Sequence, residues 1–161
     1  MSRDTRYWDS DCFLALLKKE RGRIPACRSV IKRAAGREFL IVTSALTLAE
    51  VLNLKGRPPL PSNIRDEVTN FFKNDFIYVH NVTRRLAEDA RNLVWDAQVD
   101  PKDAIHAATA IQSSVPLLNT YDGKLLARNG VIGAPGLEIV EPEMNPAPDL
   151  FDEEAGDGED S

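Results

Sequence analysis

Phe39-Leu40-Ile41-Val42 is a continuous apolar run of strand length. A run of this kind suits a strand buried on both faces of a parallel sheet. Helical patterns flank it. On one side, Pro25 at an early helical position opens a pattern that continues through Val30 and Ile31 to Gly36. On the other, Ser44 caps a helix with Leu46, Ala49, Val51 and Leu52 available for its apolar face.

The same alternation extends in both directions. Thr5–Trp8 is short and suits the edge of a first strand, and Ser10 then reads as the N-cap of a helix carrying Phe13, Leu14, Leu16 and Leu17, closed by Glu20-Arg21-Gly22. Gly56-Arg57-Pro58-Pro59-Leu60-Pro61 is a loop by composition. Ser62 caps a helix that places Ile64, Val68, Phe71 and Phe72 inward, and residues 76–79 read as a strand. Thr83 caps a helix through Leu86, Ala90, Leu93, Val94 and Trp95, and Asp100-Pro101 opens another that reaches Gln112. Pro116-Leu117-Leu118 leads into a short strand, which Asn119-Thr120-Tyr121-Asp122 leaves. A short helix near residues 124–128 and a strand at 137–140 complete the pattern, without internal repeats. Strands separated by helical crossovers favour a parallel sheet covered on both faces.

Charge divides the chain. Residues 141–161 hold nine acids and no Lys or Arg, whereas residues 1–140 hold 16 acids against 20 bases, a net of +4. The expected organisation is a folded domain over residues 1–141 and a disordered acidic tail over 142–161. The mildly basic body is compatible with a polyanionic ligand. The tail reads either as a solubilising end or as a mimic of a nucleic-acid backbone that competes for the basic surface. The hydrophobic fraction, 43%, supplies a packed core. No apolar run reaches the ~18–20 residues of a membrane span. The polar opening Met1-Ser2-Arg3-Asp4-Thr5-Arg6 lacks a signal-type apolar stretch, so a cytoplasmic protein is expected. Cys12 and Cys27 sit in no CxxC or Cys/His cluster, which points to reduced, packed thiols rather than zinc or a redox disulfide.

Open parallel sheets bind ligands outside the carboxyl ends of their strands. Asp9 directly follows the first strand, Asp122 closely follows the strand at 117–119, and Asp103 lies in the first turn of a helix that can open at the same edge. Glu50 is two turns into its helix, with a side chain that leans back toward the helix start. Gathered carboxylates repel one another, and burial raises their pKa values. A hard divalent cation, Mg²⁺ or Mn²⁺, removes the conflict and leaves positions for water and a phosphate oxygen. The chemistry that follows is displacement at phosphorus by a metal-activated water.

At these residues the chain resembles the PIN-domain family. The resemblance is carried, in order, by Tyr7-Trp8-Asp9-Ser10, Thr43-Ser44-Ala45-Leu46-Thr47-Leu48-Ala49-Glu50-Val51, Asp103-Ala104-Ile105-His106-Ala107-Ala108-Thr109-Ala110 and Asn119-Thr120-Tyr121-Asp122, and it spans roughly residues 5–140. It implies a Rossmann-like α/β/α sandwich with a central parallel sheet. It also implies Mg²⁺/Mn²⁺-dependent endoribonuclease activity on single-stranded or looped RNA, leaving a 5′-phosphate and a 3′-hydroxyl. Many small members resemble the toxin of a toxin–antitoxin pair (VapC-type) and form homodimers, so an antitoxin chain and a second copy are implied partners. Asp9, Glu50, Asp103 and Asp122 match the family's acidic positions, and Thr120 matches its frequent Ser/Thr before the last acid. The chain departs from the family at Asp11, where many members have Asn, and in its acidic tail.

Each residue also has a plainer reading. Asp9 and Asp103 serve equally as acids near helix starts, Glu50 as a solvent-facing helix residue, Asp122-Gly123 as a turn. His106, one turn after Asp103, invites a metal-ligand reading, beside the plainer and preferred one of a structural histidine hydrogen-bonded under the site. Arg84 and Arg85 are candidate RNA-phosphate contacts or simply an exposed helix start, and the basic cluster from Lys18 to Arg37 a solvated face. Two other functions stand beside the nuclease. One is a PIN-like module that binds RNA or protein without cutting. The other is a haloacid-dehalogenase-type phosphatase using Asp9-Ser10-Asp11, which leaves Glu50 and Asp103 without roles.

Overall fold

The computed structural model describes residues 4–52 and 58–144. The expected loop at 56–61 lies partly outside these residues, and the acidic tail almost wholly so. Five strands form one parallel sheet: β1 (Thr5–Trp8), β2 (Leu40–Ser44), β3 (Ile77–His80), β4 (Leu117–Asn119) and β5 (Glu138–Val140), in the order β3-β2-β1-β4-β5. Among the described residues seven α-helices connect them: α1 (Ser10–Leu17), α2 (Ile24–Ala35), α3 (Ala45–Glu50), α4 (Arg65–Phe71), α5 (Arg84–Ala97), α6 (Pro101–Gln112) and α7 (Gly123–Leu126). This is the α/β/α sandwich that the sequence implied. Among the described residues no helix is long and apolar enough to cross a membrane.

β1, which looked like no more than the edge of a strand, takes the middle of the sheet, with Tyr7 opposite Val42 on one side and Leu118 on the other. Alternation along a strand sends successive side chains to opposite faces. Tyr7 therefore joins a core with α5, α6 and α7, while Trp8 joins one with α1, α2 and α4. Strand order grows outward from β1 through β2 to β3, then jumps to β4 on the other side. The switch point between β1 and β4 is where such sheets open a crevice.

Helix starts follow the capping chemistry, with two differences, and one helix face differs as well. Asp9, not Ser10, caps α1, accepting from Ser10 N at 2.6 Å, because the Ser10 hydroxyl is engaged with Glu50 instead. Ser62 opens a short 3₁₀ turn to Ile64 before α4 begins. On α3 the buried residues are Thr47 and Glu50, with Val51 just beyond, while Leu48 and Leu52 are 42% and 46% exposed. The face of α3 that meets the sheet is thus polar, since it borders the cluster described next. As expected, the Thr83 hydroxyl accepts from Leu86 N, and Pro101 opens α6 behind Asp100.

Candidate active site

Asp9 leaves β1 at the switch point, and its backbone N–H donates to Asn119 O of β4 at 3.1 Å. The carboxyl is 6% exposed. Oδ1 accepts from Ser10 N, and Oδ2 accepts from the Thr120 hydroxyl at 2.9 Å. Glu50 reaches the same place from α3, 9% exposed, where Oε1 accepts from the Ser10 hydroxyl at 3.0 Å. Between the two acids lies His106 of α6. Its Nε2 is 2.7 Å from Glu50 Oε1 and 3.1 Å from Asp9 Oδ1, and Nδ1 is 2.6 Å from the Tyr7 hydroxyl. Single ligand atoms of Asp9, Glu50 and His106 all lie within 4.8 Å of one another.

Asp103 and Asp122 form the other half. Asp103, 9% exposed in the first turn of α6, interacts electrostatically with Asp122 and Asp9. Asp122 caps α7 through Lys124 N at 2.9 Å, and its own N–H donates to the Thr120 hydroxyl at 3.0 Å. Thr120 is therefore a junction: it gives its proton to Asp9 and receives one from the Asp122 backbone.

The electrostatics register the crowding. Burial, then the charges of Asp122 and Asp9, push Asp103 up to about 7. Burial opposes charge on His106, but Asp9 and Glu50 outweigh it and carry the imidazole up to about 9. Glu50 is lowered although burial acts against ionisation, because His106, Ser10 and Lys102 stabilise its charged form. An imidazolium thus holds Asp9 and Glu50 together. With Nε2 turned to both carboxylates and Nδ1 to Tyr7, both its nitrogens are engaged, so it acts as a brace beneath the acids.

All four sequence-predicted acids and Thr120 converge. Arg84 and Arg85 do not. Arg84 is solvent-exposed and paired with Glu88 at 2.7 Å. Arg85 lines a cavity with Ile111 and Gln112 at the far end of α6, about 12 Å along the helix from Asp103 at 1.5 Å per residue. Lys102 and Lys124 stand closer, and sequence reading passed over both. Lys102 Nζ is 3.9 Å from Glu50 Oε2, and Lys124 Nζ is 3.4 Å from Asp100 Oδ2, each side chain largely exposed. Their place beside Asp103 and Asp122 in the chain was the available signal. Asp11 lies beside Asp9: its Oδ2 accepts from Tyr121 N and shares the Thr120 hydroxyl with Asp9, and burial, then the charge of Asp9, pushes it up to about 7.

A family model described as PIN domain matches residues 6–131. Solved structures similar to the chain include VapC20 of Mycobacterium tuberculosis, a toxin that cleaves the sarcin–ricin loop. That likeness has 18% identity and a TM-score of 0.59, over 76% of this chain and 93% of the other. A toxin–antitoxin complex from Klebsiella pneumoniae is similar at 18% identity and a TM-score of 0.60, over 87% of this chain and 99% of the other. At such identity what is shared is the fold. No curated protein matches.

Proposed function

The chain belongs to the PIN-domain family, and from that premise we propose that it is a Mg²⁺- or Mn²⁺-dependent endoribonuclease. The observation that carries this reading is the convergence of Asp9, Glu50, Asp103 and Asp122 on the β1–β4 switch point. Buried like charges without compensation destabilise a fold, and the single imidazolium of His106 offsets only part of them. The all-oxygen carboxylate set fits a hard divalent cation. Asp9, Glu50, Asp103 and Asp122 would hold it. Bound there, such an ion polarises a phosphate oxygen and lowers the pKa of a water nucleophile.

The chain's own groups supply the rest. His106, held by Tyr7, fixes the directions of Glu50 and Asp9. Thr120 fixes Asp9 relative to Asp122 and offers a hydroxyl beside the reacting phosphate. A carboxylate of the cluster orients the attacking water. Lys102 and Lys124 contact phosphates next to the cleaved bond, offsetting the negative mouth that RNA must approach. Arg84 and Arg85 serve flanking phosphates farther along the strand.

We further propose the biological setting of the toxin in a toxin–antitoxin pair, in the cytoplasm, as a homodimer whose other partner is a separate antitoxin chain. The domain ends near residue 141, and the acidic segment from 142 competes with RNA for the basic body. Wild type is compared with Asp9→Asn and Asp103→Asn on structured RNA, in Mn²⁺ and in EDTA. Cutting by wild type in Mn²⁺ alone is expected; cutting that persists in the variants refutes the assignment of the site.

A further inference from the structure

We propose that Asp11 is a positioning residue for this reaction: it ties the first turn of α1 to the β4–α7 connection and so sets Thr120 and Asp122 against Asp9. The inference rests on the nuclease reading above and extends it to a carboxylate outside the set of four. One oxygen of Asp11, Oδ2, accepts from Tyr121 N at 3.0 Å and from the Thr120 hydroxyl at 3.3 Å. The other, Oδ1, is buried and has no conventional hydrogen-bond partner (the Cys12 thiol, a weak donor, lies alongside). A buried carboxylate oxygen left unpaired is costly, so a chain selected for stability alone would avoid it here. The geometry shows what the placement secures.

The β4–α7 connection contains one proposed ligand, Asp122, and one junction hydroxyl, Thr120. Between Asn119 and the α7 cap, the backbone N–H groups are held at three points. Thr120 N donates to Val140 O, Tyr121 N to Asp11 and Asp122 N to the Thr120 hydroxyl. Among these holds only the Tyr121–Asp11 bond reaches across to the element that begins with Asp9. Asp9 and Asp11 both sit at the start of α1, so one rigid turn grips the connection twice, through Thr120 and through Tyr121. Two grips fix orientation where one leaves a pivot. Removing the second lets the connection swing about Thr120, which displaces Asp122 without touching Asp9 or Glu50. Misplacement on the order of 1 Å can cost roughly a hundredfold in rate.

The experiment measures kcat, KM and the half-saturating Mn²⁺ concentration for Asp11→Asn, Asp11→Ala, Thr120→Val and the Asp11→Ala/Thr120→Val double variant, each first checked for cooperative thermal unfolding. The amide of Asp11→Asn can accept from Tyr121 N, so it is expected to keep most of the wild-type kcat. Asp11→Ala should lose roughly a hundredfold in kcat, with KM little changed and half-saturating Mn²⁺ raised. Because Asp11 and Thr120 grip one connection, the double variant should lose clearly less than the product of the two single losses. If Asp11→Ala does not fold, Asp11→Ser, too short to reach Tyr121 N, replaces it with the same expectation. The proposal is overturned by an Asp11→Ala enzyme as active as wild type, by losses that multiply in the double variant, or by Asp11→Asn as impaired as Asp11→Ala. The last result would assign the effect to charge. Absence of Mn²⁺-dependent cutting by wild type would instead overturn the nuclease reading itself.

Discussion

The two faces of the sheet are packed by opposite means. Beneath α1, α2 and α4 the core is aromatic: Phe13 stands 5.0 Å from Trp8 and 4.9 Å from Phe72, centroid to centroid, with Phe71 closing the group. Beneath α6 the buried helix face is alanine: Ala104, Ala107, Ala108 and Ala110. Large rings bury much apolar area and hold elements apart, whereas small side chains let a helix axis come close to its neighbour. Close approach is what the site needs, because Asp103 and His106 project from that same helix toward Asp9. The aromatic face is read as the source of stability, and the alanine face as the device that sets the distance between α6 and β1.

The largest expected effect tests the first half of that contrast. Phe13, fully buried, touches Trp8, Phe71 and Phe72. Phe13→Ala should cost about 3–5 kcal/mol of unfolding free energy by urea denaturation. At a temperature where the variant stays folded, its half-saturating Mn²⁺ should match wild type. If Mn²⁺ affinity falls together with stability, the two faces do not divide the labour as described.

The second prediction acts on the alanine face. Ala107→Leu inserts three carbons where Ala107 is fully buried between α6 and the sheet. Overpacking of this kind costs about 1–3 kcal/mol, less than the loss expected for Phe13→Ala. The activity loss should be the greater of the two, roughly a hundredfold in kcat, since α6 must move and carry Asp103 and His106 with it. A variant destabilised in this range but with wild-type kcat would show that α6 tolerates displacement and that its alanines are incidental.

The same contrast explains what the sequence made legible. Order and type of the elements follow from apolar runs, caps and prolines, which act locally; hence the strand expected at residues 39–42 is found at 40–44, and the Thr83 cap and the Asp100-Pro101 start agree with expectation. Asp9, Asp103 and Asp122 were legible because each stands at a strand end or near a helix start, whereas Glu50, the last residue of α3, was marked by the family resemblance of its segment. What local pattern does not carry is direction in space. Of Leu46, Ala49, Val51 and Leu52, which looked like the inward face of α3, only Val51 is buried; Thr47 and Glu50 are buried instead because Ser10, His106 and Thr43 give them polar partners there. Arg84 and Arg85 begin a helix, but only the packing of α5 against α6 shows that Arg85 lies beside residues 111–112, away from Asp103, while Arg84 is exposed and paired with Glu88. His106 was placed under the site by its spacing from Asp103; that it bridges Glu50 and Asp9 required the fold.

The smallest expected effect lies at the rim between the two halves of the acid cluster. Lys102 occupies the first turn of α6, where a positive charge opposes the helix dipole, and its side chain is 71% exposed. Its location favours neither helix stability nor core packing; it stands by Glu50, whose charge it offsets, and is open to an anionic substrate. Lys124, 80% exposed, reaches Asp100 at the start of the same helix. Converting both to Gln should change unfolding free energy by no more than about 0.5 kcal/mol. RNA affinity, measured in salt titrations with the Asp9→Asn variant as the non-cutting background, should fall. The slope of log affinity against log salt should shrink by about 0.7 for each lysine that meets a single-strand phosphate. An unchanged slope would remove both lysines from the RNA path. A halved shift would keep one of them, and the single substitutions then tell which one the strand passes.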